Sequence, residues 1–83
     1  MNIPEMIEKL AHMEHESWAN WMTYLFSKSV ANPDGSVTIP KGLVDRWQYQ
    51  ARTVYADLTE REKDSDRIEV SKIVPIIIEF ADR

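Results

Sequence analysis

The sequence predicts a mainly α-helical protein that forms one compact domain over residues 1–83. Apolar residues recur at three-and-four spacing along the N-terminal third, which is the pattern of one helix face. A turn-rich stretch then separates this helix from two further helical segments. A chain of 83 residues buries only roughly 60% of its unfolded surface, so it has room for one core and no second domain.

The first helix is expected to be long. Asn2 is a favourable N-cap residue, and Pro4 follows in the first turn, where its missing N–H is harmless. The helical spacing of apolar residues continues as far as Leu25, so we expect the helix to end at residues 27–29.

Residues 30–38 contain Asn-Pro and Asp-Gly, which are typical of turns. A short extended segment near Val37 is expected from its β-branched residues.

Two further helices complete a three-helix prediction. Pro40 suits the start of the second helix, which should end near Arg52. Residues 53–56 are expected to link it to the third helix, where Thr59 and Glu62 have the spacing of a capping box. Pro75 interrupts the apolar pattern of this third helix, so we expect a kink or a break there.

Composition excludes several classes of protein. The chain has no cysteine, so it has neither a disulfide framework nor a cysteine-based zinc site, which suits a reducing cytosol. Its net charge of −4 argues against broad nucleic-acid binding. The longest apolar run, residues 73–78, is far shorter than the roughly 20 residues of a membrane span. The N-terminus lacks the features of a signal peptide, so we expect a cytoplasmic protein without membrane binding.

The histidine-rich segment of the first helix gives a weak indication of a metal site. His12, His15 and Glu16 lie within one turn of each other, but their spacing matches no established metal motif. Glu14 and His15 could act as acid and base, yet no nucleophile motif accompanies them. We therefore expect no catalytic residue, no metal, no cofactor and no enzymatic activity.

Aromatic and basic residues are the better candidates for binding. Most of the three Trp and three Tyr should lie in the core, but such side chains are also favoured at binding surfaces. Lys63 and Arg67 are four residues apart and therefore share a helix face that could receive an anion. The charged run at residues 60–67 could equally be a solvated helix face.

The segment at residues 55–67 resembles the ryanodine-receptor (RyR) repeat domain, including its free-standing bacterial and phage versions. The matching positions are Tyr55, Leu58, Lys63, Asp66 and Arg67, with Val54 where the family usually has proline. The first helix is also similar, since the family's His and Trp, three residues apart, match His15 and Trp18. Residues 21–24 lack the glycines of the corresponding family segment, which leaves any loop built on those glycines unsupported.

The resemblance implies a non-catalytic phage or prophage module placed beside nucleotide-derived signalling. We expect it to capture a small anionic nucleotide-type ligand, such as an ADP-ribose derivative or a cyclic nucleotide, and to act against host defence by sequestration. The expected ligand-binding residues are Lys63, Arg67, Tyr55, Trp47, Tyr24, His15 and Trp18. The alternative is a protein–protein interaction module that binds a host protein or self-associates through exposed Trp and the isoleucines at 76–78, with Ile76 facing outward.

Overall fold

The computed structural model describes residues 2–82, and its secondary structure is mainly helical. Four α-helices, α1 to α4, are joined by a two-stranded hairpin and one short 3₁₀ turn within this part of the chain. In chain order these are α1 (Ile3–Lys28), β1 (Val30–Ala31), β2 (Val37–Thr38), α2 (Lys41–Arg52), the 3₁₀ turn (Tyr55–Asp57), α3 (Glu60–Ser71) and α4 (Val74–Ala81).

Helix α1 begins and ends as its sequence predicts. The side chain of Asn2 accepts a 3.1 Å hydrogen bond from the backbone N–H of Glu5, which satisfies one of the free donors of the first turn. The helix ends at Lys28, where a basic side chain complements the dipole, and Ser29 is extended. At 26 residues, α1 is the longest of the described elements.

The turn-rich segment forms an antiparallel hairpin. Its register pairs Val30 with Thr38 and Ala31 with Val37, which confirms the extended segment near Val37. The partner strand at residues 30–31 was expected to be loop. Gly35 has a φ of +89°, a backbone conformation that residues with a side chain rarely adopt, and this allows the tight reversal.

The third predicted helix is divided into α3 and α4. Thr59 and Glu62 form the expected capping box at the start of α3, because each side chain accepts the other residue's backbone N–H. The expected break is confirmed, and it lies at Lys72 and Ile73, just before Pro75. Pro75 therefore occupies the first turn of α4, where its missing N–H costs nothing. The described residues thus hold four helices rather than three.

Packing between the helices is sparse. Helix α4 packs against both α1 and α3. Lys9 forms a 2.7 Å salt bridge with Glu79, and Ser17 donates a 2.7 Å hydrogen bond to Glu69. Phe80 is the one side chain of residues 2–82 that is fully buried.

The isoleucines of α4 differ from the prediction. Ile76 is half-buried, whereas Ile77 and Ile78 are more than half exposed, so the prediction that Ile76 faces outward is wrong. The reason is the helical spacing: Ile73, Ile76 and Phe80 share the face that is turned inward, and the two following isoleucines fall beside it.

The domain is an open layer, so the prediction of a compact domain is wrong. Its extents are 51 × 34 × 16 Å, and the shortest of them is little more than the roughly 10–12 Å diameter of one helix. The radius of gyration is 16.8 Å, against about 12 Å for a compact domain of this length. Phe80 is the one fully buried side chain among residues 2–82, so the helices leave much apolar surface uncovered. None of the helices in residues 2–82 has the length and apolar character needed to cross a membrane.

Candidate ligand-binding clefts

Two clefts lie beside Trp47 of α2, and both are also lined by Trp21 of α1. The arginine cleft has a volume of about 700 Å³ and is lined by residues of α1, α2 and α3, notably Trp21, Tyr24, Arg46, Trp47, Tyr49, Arg61, Glu62, Ile68 and Glu69. The apolar cleft has a volume of about 500 Å³ and is lined notably by Trp21, Met22, Leu25, Trp47, Tyr55, Leu58 and Asp66.

Aromatic contacts between α1 and α2 form the wall of the arginine cleft. Tyr24 contacts Trp21 edge-on, with 6.2 Å between ring centroids, and contacts Trp47 at 6.3 Å in a tilted arrangement. Both separations are typical of favourable aromatic pairs. Tyr49, two residues beyond Trp47, lines the same cleft and is 59% exposed. Flat apolar ring faces are therefore available to a ligand.

The arginine cleft also holds two cations. Neither Arg46 nor Arg61 forms a salt bridge or a side-chain hydrogen bond within the described part of the chain. An arginine presents a planar array of N–H donors that matches carboxylate and phosphate oxygens. These two side chains are the cations of the cleft that no salt bridge holds, although the charge of Arg46 also acts on Glu62.

The two carboxylates of this cleft already have partners. The backbone N–H of Thr59 donates a 2.9 Å hydrogen bond to Glu62, and this bond is the main cause of the lowered pKa of Glu62. The nearby charge of Arg46 lowers the same pKa further. Glu69 accepts hydrogen bonds from Ser17 and Lys72, in that order of effect on its lowered pKa. Lys72 offsets the charge of Glu69, so the cleft is less acidic than its composition indicates.

The predicted phosphate receptors have other partners. Arg67 donates hydrogen bonds of 3.0 Å to Glu60 and 2.8 Å to Asp64, and these bonds raise its pKa. Lys63 lies 3.6 Å from Glu60 and 5.5 Å from the ring centroid of Tyr55, with only 17% of its side chain exposed. Neither cation is among the residues that line the two clefts. The acidic residues of the same α3 face neutralise both.

The predicted aromatic residues are distributed over three places. Trp47 lines both clefts, Tyr24 lines the arginine cleft and Tyr55 lines the apolar cleft. His15 and Trp18 stack on each other on α1, with 5.8 Å between ring centroids, and line neither cleft. The structure therefore brings Tyr24 and Trp47 together but separates them from the His15–Trp18 pair.

The histidine-rich segment stays on the surface of α1. His12 lies 3.0 Å from Glu16 in an exposed contact across one helical turn. Within residues 2–82, no group of three or more His, Cys, Asp or Glu side chains is placed to hold a metal ion.

Sequence reasoning did not select Arg46, Arg61, Tyr49 or Trp21 as site residues. The run of Arg46, Trp47 and Tyr49 was the available signal, because it puts a cation and two rings within one turn of α2. Arg61 could not have been chosen from the sequence, since its place beside these residues depends on how α3 lies against α1 and α2.

Comparisons with protein-family models, with curated proteins and with solved structures found no match to this chain. The protein is therefore described by its fold and its clefts. It is a thin helical domain with one aromatic cleft that contains two arginines without a salt bridge, and with one apolar cleft. The likeness to the RyR repeat stays a prediction from the sequence.

Proposed function

We propose that the chain is a non-enzymatic binding module that captures a small anionic ligand with a planar ring, of the nucleotide type, in the arginine cleft. The observation that supports this most strongly is the presence of two arginines without a salt bridge and four aromatic residues in one cleft of about 700 Å³. The module acts by sequestration in the host cytoplasm of a phage-infected cell, as the RyR resemblance implies.

Chemistry and size favour such a ligand. Small-molecule sites typically have volumes of roughly 300–1,000 Å³ and are mostly apolar, with a few well-placed polar groups. Stacking of a base on an aromatic side chain contributes about 1–3 kcal/mol. In this arrangement Trp47, Tyr24 and Tyr49 contact the ring, and Arg46 and Arg61 receive the phosphate oxygens. ADP-ribose derivatives and cyclic nucleotides carry both groups.

The proposal moves the phosphate contacts away from Lys63 and Arg67. Their salt bridges with Glu60 and Asp64 would have to break before either could bind an anion. No salt bridge of Arg46 or Arg61 within the described residues would have to break, and only the nearby charge of Glu62 competes for Arg46. Tyr55 then supports Lys63, and His15 and Trp18 take no direct part in ligand binding.

Titration calorimetry with cyclic AMP, ADP-ribose and NAD tests the proposal. We expect binding of at least one of these ligands, and we expect Arg46→Ala and Arg61→Ala each to weaken it about tenfold or more, since a hydrogen bond to a charged group contributes about 1.5–3 kcal/mol. Lys63→Ala and Arg67→Ala are the matched controls, because each also removes one positive charge. Loss of binding in the controls alone would return the site to Lys63 and Arg67. Absence of binding by all three ligands would contradict the proposal.

A protein-interaction role is the second candidate, and a separate observation favours it. Sixteen large apolar or aromatic side chains in residues 2–82 are at least 38% exposed, among them Ile7, Trp18 and Ile77. Large contiguous apolar surfaces on a soluble protein usually mark a contact with another molecule. A pull-down with the wild type and with an Ile77→Glu variant would test for a partner that needs this surface.

A further inference from the structure

One face of α1 carries a regular apolar pattern whose N-terminal part, from Pro4 to Trp18, is exposed to solvent. Its members alternate at spacings of three and four residues, which is the repeat of a helix that packs along a second helix. They are Pro4, Ile7, Ala11, Glu14, Trp18, Trp21 and Leu25. We call this set the α1 stripe. Ile7, Trp18 and Trp21 are 54%, 56% and 45% exposed.

As far as Trp18, the stripe is distinct from the face by which α1 bonds to α3 and α4. Lys9 and Ser17, which bond α1 to Glu79 of α4 and Glu69 of α3, lie on a neighbouring face of the helix. Towards its C-terminal end the stripe borders the apolar cleft, because Trp21 and Leu25 line it. Helix α1 therefore carries exposed stripe residues towards its N-terminal end and borders the apolar cleft towards its C-terminal end.

The solvent-accessible area of the chain is larger than that expected of a compact monomer of the same mass. It is 6495 Å², roughly 1,400 Å² above the ~5,100 Å² expected of a compact 9.7 kDa monomer. Obligate homodimers bury roughly 2,000–5,000 Å² in total, about half of it on each subunit. The excess thus matches the area that one subunit contributes to such a dimer.

We propose that the chain forms a two-fold symmetric homodimer in which the α1 stripes of two copies pack antiparallel. Antiparallel pairing centred near residue 16 puts Ile7 opposite Leu25 of the partner subunit and Ala11 opposite Trp21 of the partner subunit. The N-terminal half of each stripe then packs into the apolar cleft of the other copy. Each half of the stripe therefore forms the same contact in both subunits. A two-fold interface requires this self-complementarity.

Side-chain sizes fit that register. The small Ala11 meets a large indole, as close-packed layers require. Glu14 lies opposite Trp18 of the partner subunit and is the single charged member of the stripe. A lone polar residue at such a position lowers stability but fixes the register of paired helices. The second copy also supplies the second layer that domains normally need to cover an apolar face.

Light scattering of the full chain from 1 to 300 µM tests the dimer. We expect twice the chain mass of 9.7 kDa for the wild type. Ile7→Glu should raise the dissociation constant at least 100-fold, because two buried charges are introduced per dimer. Ile68→Glu is the matched control: Ile68 is 60% exposed and lines the arginine cleft instead. Far-UV circular dichroism of both variants confirms that the helices are retained.

Pulsed electron paramagnetic resonance tests the direction of pairing. A nitroxide is attached through Glu8→Cys, at an exposed position of α1 in a chain that has no other cysteine. Antiparallel pairing about residue 16 separates the two labels by roughly 24 Å along the helix axis, whereas parallel pairing brings them within roughly 10–15 Å. The longer distance supports the proposal, and the shorter one overturns the antiparallel arrangement.

A monomer at every concentration would overturn the dimer, as would an equal loss of dimer in Ile7→Glu and Ile68→Glu. Ligand capture is measured separately with the Ile7→Glu variant, because Ile7 lies outside the arginine cleft, whereas Trp21 and Ile68 line it. Calorimetry with the Ile7→Glu variant separates the two proposals.

Discussion

The hydroxyl of Ser17 donates a 2.7 Å hydrogen bond to the carboxylate of Glu69, which joins the middle of α1 to the C-terminal end of α3. The two residues are 52 positions apart in the sequence, so the contact fixes the relative placement of two helices that share few others. Glu69 also lines the arginine cleft, and the same bond therefore holds one wall of that cleft.

Ser17→Ala should lower the free energy of unfolding by about 1–3 kcal/mol, because it removes the hydrogen bond between α1 and α3 and leaves Lys72 as the remaining side-chain donor to Glu69. Urea denaturation followed by circular dichroism measures this change. Ser27→Ala is the control, since the Ser27 hydroxyl bonds only to the carbonyl of Tyr24 within its own helix. Equal effects of the two substitutions would show that the contact between helices contributes nothing.

The stability of the protein should depend on pH through Glu69. Hydrogen bonds from Ser17 and Lys72 hold the pKa of its carboxyl below the usual range, so the folded state releases this proton more readily than the unfolded state. The resulting stability is fully present above the ordinary glutamate pKa and is lost as the pH falls through the lowered one. The Tm difference between wild type and Glu69→Gln should therefore be largest near pH 7, shrink as the pH falls below the ordinary glutamate pKa of about 4.3, and vanish below the lowered pKa of the folded state. A difference that stays constant down to pH 3 would refute this account.

Phe80→Ala should be the most destabilising single truncation. Phe80 is completely buried, and Lys9 Nζ lies 5.7 Å from its ring centroid. Removing a buried phenylalanine costs about 3–5 kcal/mol, a large share of the roughly 4–12 kcal/mol that a domain of 83 residues has in total. Ile78→Ala, at a 56% exposed position of the same helix, should change stability by less than about 0.5 kcal/mol. Chemical denaturation of the two variants compares them directly.

The two glycines should respond to alanine in opposite directions. Gly35 has a φ of +89°, so Gly35→Ala forces a side chain into the left-handed region and should cost about 1–2 kcal/mol. Gly42 lies in α2 with open space around it, and Gly42→Ala should raise stability by up to about 1 kcal/mol. Thermal denaturation gives both signs. A stabilising Gly35→Ala would mean that the hairpin turn can adopt another conformation.

Local features of the fold were predictable because their causes lie within a few residues. The Asn2 cap, the capping box of Thr59 and Glu62, and the break before Pro75 all depend on neighbours in the sequence. The open layer was not predictable in this way. A stripe of apolar residues shows that a helix face is to be covered, but it does not say whether the same chain covers it.

The candidate site was predictable only in part for the same reason. Tyr24 and Trp47 were identified from their residue type, and they do lie together. Lys63 and Arg67 were chosen because they share a face of α3, but Glu60 and Asp64 share it too and bind them. Arg61 lies in the arginine cleft through tertiary packing, which a helical repeat does not reveal.

The β1–β2 hairpin offers a place where the protein can be lengthened. Its turn is exposed, and Asp34 accepts both the backbone N–H and the hydroxyl hydrogen bonds of Ser36, so the turn is held by its own residues. It lines neither cleft. Exposed loop tips are where chains best accept inserted sequence. An affinity tag or a fluorescent reporter inserted in this turn would replace the bonds between Asp34 and Ser36 and label the protein away from both clefts.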